Sequence, residues 1–267
     1  MCAIPEGFTW SFSRISCFDQ CPYSFKLIYL DEVDQRSNAF ADYGTLCHSC
    51  FEHYMKGETP LFALSEEYEE RYDKEVTGLW PPFPAGLGGK YFDQGKQFFE
   101  TWQGIDEDAY EIIDSEKHFV IDVEGNTLIG YIDAVLRDKA TGKLVIWDWK
   151  SKSYTQMKKD LNEYRNQLYI YAMGCKEVYG EYPQSISFYI LGEDKWVTEE
   201  FSLEQLEKTK EWIVGTIDRI KQSSEYIVSP SGYFCKYICS ASDHCDAVDA
   251  IIAAELEKKR QKEMMML

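Results

Sequence analysis

The sequence predicts a mixed α/β fold, and three observations carry that expectation. Between Glu116 and Lys150 the hydrophobicity pattern becomes that of strands, in three segments parted by turn residues. Around that stretch apolar residues recur at helical spacing, as from Phe40 to Met55. The chain is 267 residues long and 45% hydrophobic, enough to bury a sizeable core as one large domain.

The opening TWSFSRISCFDQCPYSFKLIYL has Ser11 or Ser13 as an N-cap, with Ile15, Phe18, Tyr23 and Phe25 near helical spacing around Pro22. It predicts a short helix, a break and a second helix. Phe40, Tyr43, Leu46, Cys47, Cys50, Phe51 and Tyr54 form one stripe, so a helix spans Phe40 to Met55. Within it Gly44 precedes His48 by one turn and leaves space for something to approach. Residues 59–110 read as a helical, charged insertion interrupted by the loop WPPFPAGLGGK. KHFVIDV, TLIGYIDAVLRD and LVIWDWK follow as an antiparallel meander with turns at EGN and KATGK. A helix from about Thr155 to Val178 and strands at SISFYIL and WVTEEF come next. A capping box of Ser202 with Gln205 then opens a helix reaching about Gln222. The expected layout is one domain over 1–267: insertion at 59–110, core at about 111–200, C-terminal helix and cysteine segment at about 202–246, and a charged, helical tail at 247–267.

No apolar run is long enough to span a bilayer, and MCAIPEGFTW lacks the layout of a secretory signal. A cytoplasmic location is expected, the host cytoplasm if viral, with no membrane partner. The nine cysteines are then free thiols or metal ligands rather than a disulfide framework. A formal charge of −18 argues against a general polyanion-binding surface, because phosphate affinity comes largely from lysine and arginine. It leaves room for a carboxylate-rich metal site beside a local basic strip of Lys150, Lys152, Lys158, Lys159 and Arg165.

In VIWDWKSK, strand alternation turns Ile146, Asp148 and Lys150 to one face and Val145, Trp147 and Trp149 to the other. Alone, that stretch reads as an edge strand with solvated charges. Glu116, Asp133 after Gly130, and Asp148 with Lys150 nevertheless fall on consecutive antiparallel strands, within a side chain's reach in a suitable register. Carboxylates so gathered repel each other unless a hard cation lies between them, and oxygen ligands suit Mg2+ or Mn2+. Such a cation polarises a phosphoryl oxygen and acidifies water, while a lysine offsets developing charge; phosphodiester hydrolysis needs both. Gln167 and Tyr171 lie one turn apart and pair a hydrogen-bonding group with a stacking surface, although Tyr171 is also spaced as core with Tyr164, Leu168 and Cys175. His53 and His118 read as ordinary hydrogen-bonded histidines.

The ordered set Gly44 to His48 (GTLCH), Glu116, Gly130 to Asp133 (GYID), Asp148 to Lys150 (DWK) and Gln167 to Tyr171 (QLYIY) resembles the PD-(D/E)XK nuclease superfamily. More narrowly it is similar to the RecB-type exonuclease branch, with AddB-like domains and four-cysteine CRISPR-associated nucleases. The resemblance runs from Ser11 to Cys245. It implies a restriction-endonuclease-like core with a mixed central sheet flanked by helices. It also implies that His48, Asp133, Asp148 and the Trp149 backbone carbonyl bind Mg2+ or Mn2+, that Lys150 is the catalytic lysine, and that Glu116 is a further acid. Gln167 and Tyr171 would hold DNA, with single-stranded or frayed ends the expected substrate of an exonuclease.

Cys235, Cys239 and Cys245 cluster in FCKYICSASDHC and need a fourth ligand, for which Cys21 is the best candidate and Cys17 an alternative. Four thiolates hold an iron-sulfur cluster or zinc. The split arrangement resembles the [4Fe-4S] staple of AddB-like and CRISPR-associated nucleases, although three residues separate Cys235 from Cys239 where that family has two. Structural zinc with His244 is the alternative. Cys2, Cys47, Cys50 and Cys175 read as ordinary thiols. Two rival functions remain: a catalytically inactive DNA-binding or assembly subunit, and a redox-active metal protein. The acidic surface leaves a homo-oligomer, or a protein partner in recombination, repair or CRISPR adaptation, to supply a DNA path.

Overall fold

The computed structural model describes residues 4–159, 161–229 and 231–265; Cys2 lies outside them. A five-stranded mixed sheet forms the centre, in the order β1-β2-β3-β4-β5: β1 Tyr110–Val123, β2 Asn126–Asp138, β3 Leu144–Lys150, β4 Ser185–Ile190 and β5 Lys195–Glu200. The first three strands are the antiparallel meander, β4 runs parallel to β3, and β5 pairs antiparallel with β4. Glu124 and Gly125, both with positive φ, make the tight turn between β1 and β2, as a twisted hairpin requires. VIWDWK is therefore the central strand and not an edge, because β4 covers the side that the meander leaves open.

The helices are α1 Phe12–Gln20, α2 Pro22–Phe25, α3 Ala39–Met55, α4 Leu64–Glu75, α5 Leu87–Thr101, α6 Tyr154–Lys159, α7 Leu161–Tyr179, α8 Leu203–Gln222, α9 Gly232–Tyr237 and α10 Val248–Met265. Ser11 caps α1, and the Ser202 hydroxyl accepts from the Gln205 N–H at the start of α8. Three expected boundaries move. The WPPFP loop ends at Gly86, where α5 starts; β1 begins at Tyr110, so Glu116 sits mid-strand; and the helix after β3 is described as α6 and α7.

Strand alternation divides the core in two. Val145, Trp147 and Trp149 pack with α3, α4 and α5, where Trp149 stacks on Phe51 at 4.2 Å between ring centroids. Leu144 and Ile146 pack on the other face with α1, α7 and α8. A connection between parallel strands must cross a face of the sheet, and α7 makes that crossing, packing directly under β1, β2 and β3. The segment after α8 folds back near the N-terminus, where Leu27, Cys239 and Ala241 form a small third core.

Candidate active site

The candidate site forms where β2 and β3 present carboxylates between α3 and α7, which belong to opposite faces of the sheet. From α3, His48 Nδ1 stands 3.2 Å from Asp133 Oδ2 and 4.0 Å from Glu116 Oε1. Asp133 accepts a hydrogen bond from the Trp149 N–H at 3.2 Å and another from the Tyr171 hydroxyl of α7 at 3.2 Å. Gln167 Nε2 donates to the Tyr171 oxygen at 2.9 Å, and Lys150 Nζ donates to Gln167 Oε1 at 2.8 Å. Lys150 Nζ also pairs with Asp148 Oδ2 at 2.6 Å. One continuous network thus joins seven side chains from five elements.

Glu116 enters by a local distortion. It falls between the pairs Ser115–Ala134 and Lys117–Ile132, opposite Asp133, and its φ is +47°. A non-glycine residue in that region is strained by about 1–3 kcal/mol, and such strain gathers at functional sites. Gly44 does what the sequence suggested: a side chain there would meet Ser151 Oγ at 3.2 Å, so α3 lies close to the chain just beyond β3.

Electrostatics mark the site as incomplete. Asp148 is wholly buried, and beyond the ion pair neither of its oxygens receives an aligned hydrogen bond among the described residues. Burial, reinforced by the Asp133 charge and only partly offset by Lys150, raises its carboxyl to about 7. Burial also raises the Asp133 carboxyl, and Glu116 adds to this against the pull of His48 and Lys150. Burial alone pushes the His48 imidazole down, but Asp133, Glu116 and Asp148 more than reverse this and raise it to about 9. Among the described residues, His48, Glu116 and Asp133 are the one group of three such ligand atoms within 4.8 Å of one another. Imidazole and carboxylate oxygens, with two buried acids short of compensation, are a donor set that fits a hard divalent cation.

The sequence from residue 9 to residue 246 matches the profile of the PD-(D/E)XK nuclease superfamily. The chain belongs to that superfamily. It is also similar to the "Gene 69 protein" of Mycobacterium phage D29, with 25% identity over 269 residues, covering 88% of this chain and 95% of that protein. A solved structure titled "Crystal structure of SSO0001" aligns over 91% of this chain and 88% of its own, at 17% identity and a TM-score of 0.39. Membership of the PD-(D/E)XK superfamily implies metal-dependent hydrolysis of phosphodiester bonds, with DNA as substrate.

Two placements refine what the superfamily motifs suggested. Tyr171 is buried in the core, and its hydroxyl and Gln167 are engaged with Asp133 and Lys150, so both side chains brace the network from within. Glu116, expected as a further acid, stands with His48 and Asp133, whereas Asp148 turns to Lys150. The expected basic strip is diluted, because Arg165 is taken up by Glu199 at 3.0 Å and Lys152 bonds the Tyr164 hydroxyl. His53 is hydrogen-bonded to Glu67 at 2.6 Å, as expected.

At the other end of the nuclease chain the cysteines converge. Burial raises the Cys245 thiol, and Cys235, Cys21 and Cys239 are close enough to raise it further. Cys21, Cys235 and Cys239 are buried. Cys17 stands beside them, its thiol 3.8 Å from the Ser24 hydroxyl, which is 3.5 Å from Cys239 Sγ. Cys47, Cys50 and Cys175 lie in the main cores. Arg36, which the sequence reading missed, holds the cysteine segment: Nε donates to the Cys239 carbonyl at 3.1 Å, and the guanidinium also donates to the Cys235 and Lys236 carbonyls. No local pattern marks Arg36, since its partners lie some two hundred residues away.

Proposed function

We propose that this protein is a divalent-metal-dependent deoxyribonuclease of the RecB-like branch, an exonuclease that attacks single-stranded or frayed DNA ends. The observation that carries the reading is the unbroken path from His48 and Glu116 through Asp133, Tyr171 and Gln167 to Lys150 and Asp148. In this reading His48, Asp133, Asp148 and the Trp149 carbonyl hold Mg2+ or Mn2+, with Glu116 as the further acid. A cation held by these residues would supply Lewis-acid polarisation of a phosphodiester and a lowered pKa for water, so that hydroxide is available as the nucleophile. Lys150, held by Gln167 and Asp148, would place its ammonium against the charge that develops on the phosphoryl oxygens. Gln167 fixes the lysine, and Tyr171 and the Trp149 N–H fix Asp133, so the reacting groups are positioned before substrate arrives.

Cys21, Cys235, Cys239 and Cys245 are proposed as ligands of a [4Fe-4S] cluster that staples the two ends of the domain. Structural zinc is the alternative.

The test is digestion of single- and double-stranded DNA, labelled at either end, by anaerobically purified protein with Mg2+ or Mn2+, beside Lys150→Ala. Metal-dependent cleavage lost in the variant supports the reading, and the label released first gives polarity. A folded protein with a filled cluster that cuts nothing would instead be an inactive DNA-binding or assembly subunit.

A further inference from the structure

Beside His48 and Glu116 the surface opens into a cleft of about 980 Å³, running from the candidate site to the cysteine-bearing segment. Phe40 of α3 and Tyr91 of α5 line one side, and Tyr233 and Phe234 of α9 line the other. Tyr91 is a rigid wall: it stacks on Trp80 at 4.8 Å and packs edgewise on Phe40 at 5.5 Å and Tyr43 at 5.0 Å. Tyr233 is 50% exposed, with Tyr237 at 5.4 Å as its ring neighbour. Tyr91 and Tyr233 both line this cleft. Asn38 ties the walls together, because it lines the cleft and donates to the Ile238 carbonyl at 3.2 Å.

We propose that this cleft is the path of one unpaired DNA strand, and that Tyr233, backed by Tyr91, stacks on its bases and so selects single strands over duplex. The inference rests on the nuclease reading above and names how the substrate is chosen. Few cations line the cleft, which weighs against binding through phosphates alone. The chain carries −18, and among the described residues the cleft is lined by one lysine, Lys152, and no arginine, alongside His48, Glu52 and Glu116. Binding through phosphates alone needs many lysines and arginines, and a duplex hides the faces of its bases. An unpaired strand offers those faces, and each base stacked on an aromatic ring adds about 1–3 kcal/mol beyond what the few cations near the backbone supply. The volume lies at the upper end of the range for small-ligand pockets, about 300–1,000 Å³, which suits a few nucleotides of one strand. Ser151, lying close to Gly44 at the inner end, adds a hydroxyl for the backbone near the candidate site.

The experiment is fluorescence anisotropy with a labelled oligo-dT and a blunt hairpin duplex, in EDTA, followed by cleavage kinetics in Mn2+. Tyr233→Ala is the main variant because that side chain is exposed and its loss leaves the core intact. It is expected to weaken oligo-dT binding by about tenfold or more, the scale of one lost stack, and to raise KM while sparing kcat. Tyr233→Phe should bind within twofold of the parent, since the ring face and not the hydroxyl does the binding. Tyr91→Leu, which keeps apolar packing, should also weaken binding. Tyr233→Ala protein that binds oligo-dT as tightly as the parent, or a parent that binds blunt duplex as tightly as oligo-dT, overturns the proposal. The two readings fail separately. Lys150-dependent cleavage indifferent to Tyr233 sinks the cleft alone, and Tyr233-dependent binding with no cleavage sinks the nuclease alone.

Discussion

Replacing Asp148 by asparagine is expected to stabilise the metal-free protein while abolishing its metal-dependent cleavage. The carboxyl is wholly buried and raised from 3.8 to about 7, chiefly by burial and then by the Asp133 charge, and that position already includes the attraction of Lys150. A group whose folded pKa lies above its unfolded one contributes stability that is full below the unfolded value and lost as pH rises through the folded value. For Asp148 the loss therefore develops between about pH 4 and pH 7 and is constant above. A shift of about three units corresponds to about 4 kcal/mol, which sets the ceiling on what removing the charge can return. Asp148→Asn, with an amide oxygen still able to accept from Lys150, should gain about 2–4 kcal/mol at pH 8 and less than half of that at pH 5. Urea unfolding in EDTA at both pH values measures this. Saturating Mn2+ should narrow or reverse the gap, because a ligand of the folded state stabilises only the protein that binds it. A variant no more stable than the parent at pH 8, or a gap independent of pH, would refute the account of Asp148 as an uncompensated buried acid.

Three further substitutions probe what positions the site. Glu116→Gly should be about 1 kcal/mol more stable than Glu116→Ala, the reverse of ordinary strand behaviour, because glycine accepts φ +47°; both should bind Mn2+ more weakly, and urea unfolding with metal titration checks both. Gly174→Ala should cost about 1–3 kcal/mol, read from the unfolding midpoint, since its Cβ would come within 2.5 Å of the Phe119 ring that already fills the space beside Gly130. Arg36→Ala should weaken hydrogen-exchange protection over residues 232–239, with a cost of about 1.5–3 kcal/mol if all of its carbonyl partners are freed, and should speed loss of absorbance from the proposed cluster. Unchanged exchange in that segment would mean that the cysteine lobe is held by something else.

Much of the fold was legible because it is periodic. The helix at 39–55, the three meander strands and the strands after α7 all follow from patterns of hydrophobicity, and Ser202 marks the start of α8 by a cap. The boundaries that moved are those where periodicity is silent. Glycines at 88 and 89 disguise the first turn of α5, and the polar, half-buried start of β1 hides six residues of strand before Glu116. Of the site, the residues were readable from order and type, but their division of labour was not. Whether Asp148 meets a metal or Lys150, and whether Tyr171 faces substrate or Asp133, depends on burial and register. The cleft was hidden altogether, since Tyr91 and Tyr233 are some hundred and forty residues apart and neither stands in a motif.

Three separate features of the candidate site disfavour its empty state, and a cation held there would relieve the two that are electrostatic. Glu116 holds a strained backbone at φ +47°. Asp133 and Asp148 are both buried with raised carboxyls, Asp148 chiefly by burial and then by the Asp133 charge, Asp133 by burial with Glu116 adding to it. His48 is driven towards its protonated form by the same acids, although a protonated imidazole cannot ligate a metal. A structural role alone would select neutral or apolar side chains at such positions, since well-packed hydrophobic replacements for buried charges are commonly neutral or stabilising. Like-charge repulsion and the proton on His48 would both be relieved if a divalent cation bound there, so stability given up in the empty protein would return as metal affinity. The same arithmetic explains the direction predicted for Asp148→Asn: the substitution keeps the fold and discards what the fold was strained to hold.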